Sequence, residues 1–174
     1  MISAKKISCM CGQLKVLLPV LLLLLGSREV SAQEPPPRPI RINATAQTLR
    51  FGAFYHGASG GTVIIDPSSS RSSSGSVVLL GLGFPFSSAL FEVHAHPGTV
   101  IAILNGPDTP LAGTPTGSMT LHIGSSNPTS PFVSNVHFNV PILLYIGGTL
   151  IVGNSTANPP GSYTGPFYIT LVRE

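Results

Sequence analysis

The sequence predicts an all-β protein: a two-sheet antiparallel β-sandwich of about nine short strands with no substantial helix. Three observations lead there. Glycine and proline, 19 and 17 of 174 residues, punctuate the chain too often for helices to run. From Arg38 onward no window repeats apolar residues at helical spacing. The apolar segments are short, rich in β-branched residues, and several alternate with polar ones, as half-buried strands do.

The chain opens with a secretory signal peptide over residues 1–32. Lys5, Lys6 and Lys15 form its positive start, Val16 to Leu25 its apolar run, and Val30-Ser31-Ala32 its small-residue cleavage site. A membrane-spanning helix needs roughly twenty apolar residues. The apolar run is half that length and holds Pro19, so no membrane span is expected after cleavage. Gly26 to Ala32 offers no cysteine for a lipid anchor. Removing 32 of 174 residues leaves 142, the size of one domain. The expected locations are the periplasm, the cell surface or the medium.

Cleavage changes the chemistry available. Lys5, Lys6, Lys15 and Arg28 leave, and the remaining Arg38, Arg41, Arg50, Arg71 and Arg173 balance Glu34, Asp66, Glu92, Asp108 and Glu174. A neutral, lysine-free chain gives no reason to expect nucleic acid or an acidic membrane as partner. Cys9 and Cys11 also leave, which excludes a disulfide framework, a cysteine zinc site and a thiol nucleophile.

Residues 33–39 form a proline-rich leader with Pro35, Pro36, Pro37 and Pro39, extended and stiff. Residues 40–174 form a single β-sandwich domain. Strands are expected at Ile40 to Phe51, Thr62 to Asp66, Ser76 to Gly81, Ala89 to His96, Thr99 to Asn105, Ser118 to Gly124, Val136 to Tyr145, Gly148 to Gly153 and Pro166 to Arg173. Their apolar faces are Ile40, Ile42 and Ala44; Phe91, Val93 and Ala95; Met119, Leu121 and Ile123; Phe167, Ile169 and Leu171. The serine run Pro67 to Gly75 cannot bury enough apolar surface to offset its ordering and reads as a mobile loop. Gly106 to Gly117 reads as a crossing between sheets. Pro141 has no N–H for a ladder and puts its segment at an edge or a bulge. The Ile40 to Gln47 segment can complete a sheet within its own chain or be donated to a neighbour, and its short connection to Leu49-Arg50-Phe51-Gly52 favours its own chain.

One constellation has the look of a ligand set. Glu92, His94 and His96 project from one strand face at about 7 Å intervals. A His-x-His pair can hold zinc, copper or iron if His122 or His137 supplies a third ligand. Period-two polar residues are also what any solvated strand face shows, and the expectation is a solvent face with no metal and no cofactor. A serine hydrolase needs an elbow that these loop serines lack, and a glycosidase needs two facing carboxylates from a pool of five. Gly60-Gly61 and Gly147-Gly148 match no phosphate-cradling pattern and read as turns or strand kinks. No enzyme is expected. Tyr55 with His56, or Tyr163 with Tyr168, are the rings available to stack on a carbohydrate. Tyr163 is expected to bury its ring while its hydroxyl bonds backbone at a sheet corner.

Several stretches in order resemble a family of exported bacterial domains known only as domain of unknown function 4402. They are Leu49-Arg50-Phe51-Gly52, Gly60-Gly61-Thr62-Val63, Ala89-Leu90-Phe91-Glu92-Val93, Pro97-Gly98, Gly117-Ser118-Met119-Thr120-Leu121, Gly147-Gly148-Thr149-Leu150-Ile151-Val152-Gly153 and Gly161-Ser162-Tyr163-Thr164-Gly165-Pro166-Phe167-Tyr168-Ile169-Thr170. More loosely, the closing Gly-x-Tyr-x-Gly frame of Gly161, Tyr163 and Gly165 is similar to spore coat U and archaic chaperone–usher pilin domains. The resemblance implies an Ig-like sandwich and a non-catalytic structural role at the cell surface, pilin-like or adhesive. Partners would be itself or other surface subunits, met through edge strands. The alternative is a secreted module that binds carbohydrate or metal.

Overall fold

The computed structural model describes residues 39–174. The signal peptide and the leader up to Arg38 lie outside the described residues. In chain order the strands are β1 (Arg41–Ala44), β2 (Arg50–Phe51), β3 (Phe54–Ile65), β4 (Arg71–Leu79), β5 (Phe86–Ser87), β6 (Ala89–His94), β7 (Val100–Asn105), β8 (Thr109–Thr114), β9 (Ser118–Asn127), β10 (Phe132–Val133), β11 (Ile142–Val152), β12 (Ser162–Thr164) and β13 (Ile169–Arg173). The fold is an all-β antiparallel sandwich. Nine of the strands have four residues or more, and β2, β5, β10 and β12 are short additions.

The large sheet runs β1-β6-β11-β9-β8-β12, with the β3–β4 hairpin joined to it through β11. β11 organises this sheet. Its first half pairs with β6, from Ile142 opposite Val93 to Ile146 opposite Ala89. Its second half pairs on that side with β3, from Gly148 opposite Ile65 to Val152 opposite Gly61. Its other side takes β9. A second sheet runs β10-β7-β13, and β2 pairs with β5. Val63, Val93, Met119, Leu121, Ile123, Leu144, Ile146 and Leu150 from the large sheet form one core cluster with Ile101 and Phe132 from the second. Phe167, Ile169 and Leu171 pack against it, with the Phe167 ring edge-on to Phe91 at 6.1 Å.

The structure corrects several expectations. Val136 to Tyr145 and Gly148 to Gly153 are not separate strands: β11 runs through Gly147-Gly148 with a register shift against β9 between Ile146 and Gly148. A side chain at Gly147 would run into the Ile65 carbonyl, so the glycine lets β3 and β11 approach. Pro141 stands just ahead of β11, and β11 is the centre of the sheet rather than an edge. The serine run is no loop beyond Ser70: Arg71 to Gly75 belong to β4 and pair with β3. The turn before it is ordered by Asp66, whose carboxylate accepts from the Ser68 hydroxyl at 2.7 Å and the Ser70 N–H at 3.0 Å. Gly106 to Gly117 crosses between sheets only at its start, since β8 occupies Thr109–Thr114 and forms a hairpin with β9.

The face expected of Ile40, Ile42 and Ala44 is covered only at Ile40, which packs against the core cluster just ahead of β1. β1 pairs with β6 of its own chain, Arg41 opposite His94 to Ala44 opposite Phe91, and forms the end of the large sheet. There Ile42 is 40 % exposed and Ala44 is exposed.

Candidate functional site

Glu92 and His94 lie on β6 and His96 two residues beyond its end; all three alternate with the buried Val93 and Ala95 and are half-buried. Phe138 gathers two of them. His94 Nδ1–H donates to the Phe138 carbonyl at 2.9 Å, and the His96 ring stacks on the Phe138 ring at 4.9 Å between centroids. The Arg41 guanidinium lies 5.8 Å from the same ring. His122 is elsewhere, exposed on β9 and 2.6 Å from the Asp108 carboxylate. His137 accepts from the Asn139 N–H at 3.3 Å. Among the described residues no group of three or more His, Cys, Asp or Glu side chains stands close enough to share a metal ion.

The aromatic candidates divide by burial. Tyr55 is exposed and its ring stacks on His56, with centroids 6.5 Å apart. His56 Nε2–H donates to the Asn158 carbonyl at 2.9 Å. Tyr163 is half-buried on β12, opposite Gly113 of β8, and its hydroxyl donates to the Pro159 carbonyl at 2.7 Å. Tyr168 is exposed. The glycines beside Tyr163 have close neighbours: a side chain at Gly161 would meet the Thr114 carbonyl, and one at Gly165 would come within 2.9 Å of Leu111 and the Pro110 carbonyl. At Gly148 it would crowd Leu49 at 2.9 Å.

The described residues also form an open cleft of about 1100 Å³. Its floor is core: Leu111, Met119, Leu121 and Leu150. The segment from Ala44 to Phe54 and the segment from Pro159 to Phe167 form its two long walls, and the loop at Leu80 to Pro85 stands over its mouth. Arg71 holds that loop. Its guanidinium donates to the carbonyls of Phe51 at 3.0 Å, Ala53 at 3.2 Å and Leu80 at 3.1 Å, and lies over the Phe86 ring at 4.5 Å. Asn158 fixes the other wall. It is buried, donates to the Ser118 carbonyl at 2.6 Å and accepts the Gly153 N–H.

Sequence reasoning missed this cleft. Its signal was the run Leu82-Gly83-Phe84-Pro85-Phe86, in which glycine and proline keep Leu82 and Phe84 out of any strand and leave them exposed, ahead of Phe86 at the start of β5. Arg71 was hidden in a serine run, and Asn158 is useful only through residues distant in sequence.

The sequence model of the family described as a domain of unknown function (DUF4402) matches residues 40–172. No curated protein and no solved structure matches the chain. Among the described residues no helix is long and apolar enough to cross a membrane.

Proposed function

The chain belongs to the DUF4402 family, and from that premise we propose that it is an exported, non-catalytic structural protein of the cell surface, a pilin-like or adhesive subunit that associates with itself or with other surface subunits through sheet edges. The observation that carries this reading is β1. Among the described residues it ends the large sheet with β6 as its one partner, so its outer edge presents backbone groups that no described strand pairs, beside an exposed Ile42. A row of open N–H and C=O groups recruits another strand, and natural monomers usually blunt such edges with charge or proline. The polar side chains support the same reading, because Arg71, His56, His94 and Asn158 are spent on backbone carbonyls.

Size-exclusion chromatography with light scattering of the protein as recovered from its expressing cells tests the proposal. Oligomers at micromolar concentration are expected, and Ile42→Lys should shift them toward monomer by placing a charge on the edge. A wild-type protein that stays monomeric and is never found with the cell envelope would overturn it.

A further inference from the structure

We propose that the cleft between the Ala44–Phe54 and Pro159–Phe167 walls is a binding site for a single-chain anionic amphiphile, a long-chain fatty acid carboxylate. Small-molecule sites are concave and lined mainly by apolar side chains. The open cleft of about 1100 Å³ has that form, with the core residues Leu111, Met119, Leu121 and Leu150 at its floor. Leucine, methionine and phenylalanine side chains give water no hydrogen-bond partners over much of the lining, while Thr45, Gln47, Thr48, Ser162 and Thr164 make part of the walls polar, so the space suits an occupant with an apolar body and a polar end. Its volume of about 1100 Å³ lies just above the range of roughly 300–1,000 Å³ usual for small-molecule sites, room enough for a long chain.

The charge of the lining selects the head group. Arg50 is exposed and is the one side chain of the lining that stays charged at every ordinary pH; no carboxylate lines the cleft. Its Nε–H donates to the Thr48 hydroxyl at 3.1 Å, and the one ion pair among the described residues is His122–Asp108, away from Arg50. A guanidinium fork above an apolar trough suits a carboxylate on an aliphatic tail.

The mouth fits the same ligand. Leu82 and Phe84 are 65 % and 64 % exposed, while Arg71 ties down the loop on both sides of them. Gly81 and Gly83 have open space around them. An aliphatic chain in the cleft gives these two side chains an apolar surface to cover.

The test uses the protein as recovered from its expressing cells, with its N-terminus read by intact mass. Fluorescence of a dansylated undecanoate reports occupancy, and octanoate, dodecanoate, palmitate and palmityl alcohol compete for it. Displacement should strengthen with chain length, and palmitate should raise the thermal midpoint. Arg50→Gln lies on the exposed rim and should fold normally. It should weaken palmitate about tenfold, the scale of one lost charge-assisted pairing, and leave palmityl alcohol unchanged. Absence of probe binding overturns the proposal, as does palmitate binding untouched by Arg50→Gln. So does an oligomer that excludes palmitate, since a second copy would then cover the cleft. Chromatography reads assembly and fluorescence reads the cleft, so failure of one proposal does not disguise failure of the other.

Discussion

Tyr163 couples two demands in one side chain: its ring lies against the core and its hydroxyl donates to the Pro159 carbonyl at 2.7 Å. Tyr163→Phe keeps the ring and strands the carbonyl. The loss should be about 1 kcal/mol, read as a lower urea midpoint with unchanged slope. This role was readable from the Gly-x-Tyr-x-Gly frame, because the frame and the ring are local. The role of Asp66 was not, since a serine run with one acid looks like a solvated linker until the turn closes around it. The Ser68 hydroxyl, then the Ser70 N–H, hold the Asp66 carboxyl below its ordinary value. A depressed carboxyl contributes stability above its unfolded pKa, near 4, and loses it as pH falls through the lower folded value. Asp66→Ala should therefore be less stable than wild type at pH near 7, and the gap should close as denaturation is repeated below pH of about 4. A gap that persists in acid would mean that the turn does not depend on the charge.

At the scale of the element, β11 shows why local signals mislead. Gly147-Gly148 reads as a turn or a strand kink, and the second holds: β6, β3 and β9 together keep the segment extended through a register shift, and those partners are invisible to a window of ten residues. Alanine at Gly147 would meet the Ile65 carbonyl and stand 3.1 Å from Asp66. Gly147→Ala should cost about 1–3 kcal/mol, the usual penalty of overpacking, and calorimetry should show the drop in thermal midpoint. β1 teaches the complementary lesson. The alternation of Ile40, Ile42 and Ala44 does describe a strand, but period two says which residues share a face and not how far that face is covered: Ile40 packs against the core, while Ile42 and Ala44 are exposed. The strands of Phe91, Val93 and Ala95 and of Met119, Leu121 and Ile123 have the same pattern and do point into the core. Cover comes from the second sheet, whose placement depends on long-range pairing.

At the scale of the molecule, one core cluster spans both sheets, so the domain should unfold as a single cooperative unit. Leu144 lies at its centre with no exposed surface. Leu144→Ala should cost about 2–5 kcal/mol, and probes in either sheet should report the same shifted midpoint. Two transitions resolved by different probes would show that the sheets are held independently.

β11 begins at Ile142, and each of its partners β3, β6 and β9 precedes it in the chain. A ribosome therefore releases every strand of the large sheet except β12 before it completes the centre. Until residues near 150 emerge, β6 has no β11 to join it to β9, and the β3–β4 hairpin has no sheet to attach to. Contacts so far apart in sequence close slowly, on the ms-to-s scale typical of such β topologies. For most of its synthesis the polypeptide is thus a string without a stable tertiary structure, the form in which a chain passes through a narrow channel.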